Sequence, residues 1–249
     1  VHSRFIDGAV LEPGFELDEL VAPVLALERY ADETGDLSVF EAPDVRRGIE
    51  EILRKLDAVR AEGCELYETF LQPTDDERVH PYLTYDNVLV WRALRALGRL
   101  LGREELTRRA EAVRRAIYEN CVFDGMFAWS VDLQGGHDVY DEPPGSLLLL
   151  PYYGFCSADD PLYLKTAEAI RSPDYAYSFA GCEIAEIGCP HAPHPWLLSI
   201  GNSLLCGRSE QALEHLRPVL RPGAARAGVD FEDGVHVILF RGKQEIHLR

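Results

Sequence analysis

An all-α fold, helical hairpins wound into an α/α toroid with one small β-hairpin, is the class this sequence predicts. Three observations carry that expectation. Apolar residues recur at helical spacing through most of the chain. The helices come as long pairs joined alternately by short and long connections, the pattern of antiparallel helical hairpins. Only the stretch around residues 126–140 reads as strand, turn and strand.

The first helix carries Leu17, Leu20, Val21, Val24, Leu25 and Leu27 on one stripe. Pro13-Gly14 precedes it, Gly35-Asp36 closes it, and Pro23 inside it marks a first turn or a kink. The second holds Val45, Ile49, Ile52, Leu53, Leu56 and Val59, with Asp44 as N-cap and Gly63 as stop signal. A third starts near Asp86, carries Val88, Leu89, Trp91, Leu94 and Leu97, and ends at Gly102. A fourth runs from Glu104 to about Tyr118 with Leu106, Ala110, Val113 and Ile117 on one face. Further helices are expected at Ser146–Tyr153, Pro161–Ile170, Pro195–Cys206 and Ser209–Leu220. The hairpin should turn on Gly135-Gly136. Residues 64–85 and 172–195 form long connections rich in proline and polar side chains, of the kind that carry function. No linker or repeat divides the chain, so residues 1–249 read as one domain. Residues 235–249 read as a strand-like tail unlike the helices before it, and both ends as cut ends.

Composition narrows the function classes. With 25 Lys and Arg against 42 Asp and Glu, the formal charge is −17. A polyanion of this kind is a poor partner for nucleic acid or an anionic membrane surface. Hydrophobic residues make up 47%, enough for a sizeable core. No apolar run approaches the ~20 residues of a membrane span, and no leader pattern stands at residue 1. The six cysteines form no C-x-x-C pair, which fits reduced thiols and a cytoplasmic location.

Four constellations hold chemistry. Gln72-Pro73-Thr74-Asp75-Asp76-Glu77 sets three acids after a Pro-Thr turn. Crowded acids raise one another's proton affinity, and a carboxyl kept protonated can donate to a leaving oxygen. The same stretch is equally a solvated turn. Asp141-Glu142 precedes Pro143-Pro144-Gly145 and four leucines, and its acids either cap that segment or face a ligand. His191, His194 and Trp196 lie in a proline-stiffened loop that opens a helix. An imidazole edge beside an indole face suits a sugar; H-x-x-H without neighbouring acids is weak support for metal. Glu16, Asp18 and Glu19 cluster at a helix start, where acids are ordinarily stabilising.

In order, these stretches resemble the motifs of glycoside hydrolase family 125, the metal-independent exo-α-1,6-mannosidases of the six-hairpin (α/α)6 superfamily. Glu16-Leu17-Asp18-Glu19-Leu20 with Thr34-Gly35-Asp36 is similar to E-L-D-S-L…T-G-D, and Gln72–Asp76 to R-P-S-D-D. Asp141 with Ser146–Gly154 resembles D-D-A-N-x-P-S-L-L-S-L-P-Y-L-G, and Ile187–His191 resembles I-G-S-P-H. The resemblance implies an inverting exo-α-mannosidase without metal or other cofactor, acting on an oligosaccharide or mannoside. Asp76 would be the proton donor and Asp75 its neighbour. Glu16, Asp18, Asp141, His191 and Trp196 would line the sugar subsite. Inversion also needs a second carboxylate roughly 6.5–9.5 Å away to activate water.

The sequence departs from the pattern in three places. No W-x-R-D-S precedes Glu16, Gln72 stands where the motif has Arg, and Gly228–Asp233 stands where H-E-S-F would supply the base, leaving Asp230 or Glu232 for that role. A twelve-helix toroid needs roughly 350 residues, so the expected architecture is an incomplete (α/α)6 toroid. The alternatives are an inactive or sugar-binding remnant of such an enzyme, another six-hairpin glycosidase of glucoamylase or trehalase type, and a metallohydrolase built on His191 and His194.

Overall fold

The computed structural model describes residues 6, 7, 9, 14–220, 238–241 and 244–247. The chain falls into two compact units, Val1–Ile170 and Arg171–Arg249.

The first unit is built on five helices: α1 (Leu17–Thr34), α2 (Pro43–Ala58), α3 (Thr84–Leu101), α4 (Glu104–Asn120) and α5 (Pro161–Ile170). Gly35 (φ 70°) and Gly102 (φ 64°) end α1 and α3 in the left-handed region, as their positions in the sequence suggest. Pro23 does not break α1, which continues to Thr34. The second helix begins one residue before its expected cap: Pro43 takes the first helical position, where a missing N–H costs nothing, and Asp44 lies inside the first turn.

α3 is the central element. Val88, Leu89, Val90, Trp91, Ala93, Leu94, Ala96 and Leu97 are all buried, so its apolar surface runs round the helix rather than along one stripe. It forms a close hairpin with α4. A Cβ on Gly98 would fall 2.3 Å from Thr107 Oγ1, so only glycine allows the approach. On the other side Glu28 of α1, itself buried, accepts from Arg92 Nε at 2.8 Å and Arg99 Nη2 at 3.0 Å. Phe155 joins this core edge-on to Trp91 and stacked on Tyr118, with centroids 5.3 and 5.5 Å apart.

Short strands edge the helices. β1 (Tyr82–Leu83), β4 (Ser130–Val131) and β5 (His137–Asp138) form an antiparallel sheet in the order β1-β4-β5, with Leu83 opposite Ser130 and Ser130 opposite Asp138. The expected hairpin through Gly135-Gly136 is β4–β5. A second hairpin pairs β2 (Val122–Phe123) with β3 (Met126–Phe127) across Asp124-Gly125, both at positive φ, as the tight hairpin turn requires.

The expected helix over 146–153 is a single 3-10 turn, Leu147–Leu149. All four leucines of Leu147–Leu150 are buried, and Pro151 has no N–H to extend a ladder.

The second unit contains α6 (Leu197–Leu205), α7 (Ser209–Leu220) and a hairpin of β6 (Ile238–Arg241) with β7 (Gln244–His247), Ile238 opposite His247. α6 and α7 form the short helical hairpin expected there. β6 falls within the strand-like run at 235–241.

Candidate active site

Backbone pairing brings distant acids together in the first unit. Glu16 bridges Leu71, and Leu71 bridges Glu77. The amides of Phe70 and Leu71 both donate to the Phe15 carbonyl, at 3.0 and 2.9 Å. The Leu17 amide donates to Thr69 Oγ1 at 3.1 Å, which satisfies one of the donors left open at the start of α1. A Cβ on Gly14 would fall 2.1 Å from Leu71 Cδ1, so a larger residue there would displace the Leu71 side chain. The head of α1 is thereby laid along residues 69–71, which brings the Glu16 carboxyl near enough to Asp75 for the Asp75 charge to act on it.

The acid turn itself is tightly closed. The Gln72 amide donates to the Asp76 carbonyl and the Asp75 amide to the Gln72 carbonyl, each at 2.9 Å. Asp75 sits at φ 62°, a left-handed conformation that Asp tolerates better than most residues. Gly145 backs the turn at φ 84°; a Cβ there would lie 2.8 Å from Pro73 Cγ and 3.2 Å from Tyr85 Cδ1. Gly145→Ala should therefore lower stability by at least about 1 kcal/mol, seen as a lower thermal midpoint. An unchanged midpoint would show that Pro73 gives way freely.

Below the turn lies a buried acidic group. Burial pushes the Glu16 carboxyl up to about 8, helped by the charges of Glu19, Asp18 and Asp75. Burial also raises Asp18, with the charges of Glu19 and Asp75 adding to it. Asp86, in the first turn of α3, is fully enclosed; burial and then the charges of Asp18 and Glu16 push it well above the carboxylate range. Neither Asp86 oxygen nor Asp18 Oδ1 has a well-formed hydrogen bond. The nearby Thr69 hydroxyl pulls Asp86 slightly down, but its one proton is engaged by the Leu71 carbonyl at 2.6 Å. The Tyr85 and Tyr153 hydroxyls lie 3.1 Å apart beside Asp18, whose charge adds to the burial that raises both phenols.

The expected site residues are placed as follows. Asp75 and Asp76 share the turn, and Glu16 and Asp18 lie beneath it. Asp141 is completely buried, and its two oxygens accept from Ser146 Oγ and the Leu147 amide, both at 2.7 Å. It starts the leucine turn. Its neighbour Glu142 reaches the acid turn instead, accepting from Gln72 Nε2 and Thr74 Oγ1, both at 2.9 Å. Thr34-Gly35-Asp36 closes α1: the Asp36 amide donates to Thr34 Oγ1, and Asp36 accepts from the Ser38 amide and the Tyr30 hydroxyl.

His191 and Trp196 belong to the second unit, with ring centroids 6.0 Å apart at 77°. Their loop is pinned by the Trp196 amide donating to the Ile187 carbonyl at 3.1 Å. A Cβ on Gly188 would fall 2.5 Å from the His194 carbonyl oxygen. In the same unit, buried Glu186 accepts from Ser199 and lies 2.6 Å from His215 Nδ1. Asp230 and Glu232 lie outside the described residues. Among the described residues, no group of three or more His, Cys, Asp or Glu is arranged to hold a metal ion. Nor is any described helix long and apolar enough to cross a membrane.

Asp86, Tyr85 and Tyr153 are not among the site residues expected from sequence. The one available signal is the run Thr84-Tyr85-Asp86-Asn87, four polar-tipped residues in succession at the head of an otherwise apolar helix.

Similarity to known proteins identifies the family and the fold. The family model for metal-independent α-mannosidases, glycoside hydrolase family 125, matches residues 57–226. A trehalase of Sulfolobus acidocaldarius is 30% identical over 147 residues, covering 57% of this chain and 24% of that protein. The meiotically up-regulated gene 157 protein of Schizosaccharomyces pombe is 28% identical over 186 residues, covering 68% of this chain and 36% of that protein. The chain thus spans about a quarter to a third of the length of these relatives. Among solved structures, a metal-independent α-mannosidase of Streptococcus pneumoniae in a non-productive complex with α-1,6-mannobiose superposes with TM-score 0.75 at 20% identity, over 84% of this chain and 61% of that one. A family 78 rhamnosidase of Bacillus sp. GL1 superposes with TM-score 0.53 at 16% identity, over 79% of this chain and 20% of that one. The fold is the helical-hairpin fold of these glycosidases, and the chain belongs to glycoside hydrolase family 125.

Proposed function

We propose that this chain carries the proton-donating half of a metal-independent glycoside hydrolase that cleaves terminal α-mannosides with inversion. The observation that carries the reading is the acid turn. Asp75 and Asp76 project from a strained, tightly closed loop above buried acids that hold protons at neutral pH. In such a mechanism one carboxyl group protonates the glycosidic oxygen while a second activates water on the other face of the sugar. Asp76 takes the donor role, and Asp75 is held by its amide, which donates to the Gln72 carbonyl. Neutral carboxyl groups such as Glu16 can both give and accept hydrogen bonds, as the hydroxyls of a hexose require.

The 30% identity to a trehalase favours a second reading, a six-hairpin glycosidase acting on a glucoside. A panel of aryl α-mannoside, α-glucoside and α-rhamnoside, with α-1,6-mannobiose and trehalose, separates the two. The expected result is mannose release that a chelator leaves unchanged. Preference for trehalose would favour the second reading, and activity lost to chelator would overturn the metal-free mechanism. Saturable mannoside binding without product would mark a sugar-binding module.

A further inference from the structure

Glu142, the second acid of the Asp141-Glu142 pair, has no role in the proposed reaction above, yet it is fully enclosed and closely tied to the acid turn. Its Oε1 accepts from Gln72 Nε2 at 2.9 Å and from the Tyr140 hydroxyl at 3.3 Å, and its Oε2 accepts from Thr74 Oγ1 at 2.9 Å. Thr74 Oγ1 accepts from Gln72 Nε2 at 3.2 Å and lies 3.3 Å from Asp76 Oδ2. One hydroxyl therefore stands between two carboxyl groups.

We propose that Glu142 is a positioning residue that holds the proton on Asp76 through Thr74. A hydroxyl has a single proton to donate. When Glu142 is ionised it takes that proton, along with those of Gln72 and Tyr140. Thr74 Oγ1 can then only accept on the Asp76 side, an arrangement that favours an O–H on Asp76, the form a proton donor needs. If Glu142 loses its charge, Thr74 is free to turn its proton towards Asp76, which favours the Asp76 carboxylate. The like charges act in the same direction: each disfavours ionisation of the other, and burial with the Asp76 charge already raises Glu142. The groups that face Glu142 are Asp76 from the acid turn, Gln72, Thr74 and the Tyr140 phenol, which in turn faces Asp138; none is a cation. The chain Tyr140–Glu142–Thr74–Asp76 thus works as a unit in which one proton serves two acids.

The proposal rests on Asp76 as the donor for its catalytic meaning, but not for its test. The test is a carbon-13 NMR titration of the Asp76 carboxyl in the 249-residue chain, in the wild type and in Glu142→Gln, Thr74→Val and Thr74→Ser. The expected result is a midpoint about one pH unit lower, a tenfold loss of proton affinity, in Glu142→Gln and Thr74→Val. Thr74→Ser keeps the hydroxyl and should retain the wild-type midpoint. Should Glu142→Gln fail to fold, the Thr74 pair decides alone. Equal midpoints in Thr74→Val and wild type, or equal displacement in Thr74→Ser and Thr74→Val, would overturn the relay. Where α-mannosides are hydrolysed, the alkaline limb of kcat/KM should move down by the same amount. A displaced midpoint in a chain that cleaves no glycoside would defeat the hydrolase reading and leave the proton link standing.

Discussion

Asp76→Asn should lower turnover of an aryl α-mannoside by at least about 100-fold, with little change in KM or thermal midpoint. The substitution keeps the size of the side chain and a polar atom within reach of Thr74 but removes the transferable proton. The turn should survive, because the Asp76 group that closes it is the backbone carbonyl, which accepts from the Gln72 amide. A fall in kcat alone would mark a group needed in the transition state; a rise in KM alone would mark one that only binds sugar. Steady-state kinetics on the purified variant makes the distinction. Wild-type turnover would transfer the donor role to Asp75, whose charge acts on Glu16.

The second large effect concerns stability against pH. Glu16 binds its proton far more tightly in the folded chain, about 8 against an ordinary value of 4.5. A carboxyl raised by folding stabilises the protein fully below its unfolded value, and that contribution is lost as pH rises through the folded value. The thermal midpoint should therefore fall between about pH 5 and pH 9. Even a tenfold difference in proton affinity between folded and unfolded chain moves the midpoint of a chain this size by about 3 °C. Asp18 and Asp86 are raised for the same reason and act in the same direction. Glu16→Gln keeps the size of the side chain and carries no titrating charge, so its midpoint should be flatter across this window without becoming level. A wild-type midpoint that rises with pH would mean that these acids are solvated and ionised. Differential scanning fluorimetry in a series of buffers measures both chains.

Much of this fold could be read from residue spacing. α1, α3, α4 and α5 follow apolar periodicity with glycine or proline at their ends, which is local information. Asp44 and the leucine run were misplaced because local preference competed with neighbours. Pro43 already met the requirement of a helix start, and four consecutive leucines have no polar face to present to water. The acid turn was legible because its acids are adjacent in the chain. The partnership of Glu16 with Asp75 was not, since it depends on a bridge between residues 16 and 71 that no local pattern announces. Asp86 was hidden for a related reason: an acid in a first turn is commonplace, and only the packing of α1 against α3 turns it into an enclosed, unsatisfied carboxyl. Asp141 and Glu142 are neighbours with opposite duties, one fastening the leucine turn and the other gripping the acid turn. Sequence offered no means of telling them apart.

The three tryptophans divide unequally between the units. Trp91 and Trp129 are sealed inside the first, beside Phe155 and Tyr140, whereas Trp196 sits half-exposed in the second. Intrinsic fluorescence thus carries two indoles shielded from water and one in contact with it. A red shift of the blue component reports melting of the helical core around the acids, and quenching by iodide reports Trp196, so the two units can be followed optically without adding a label.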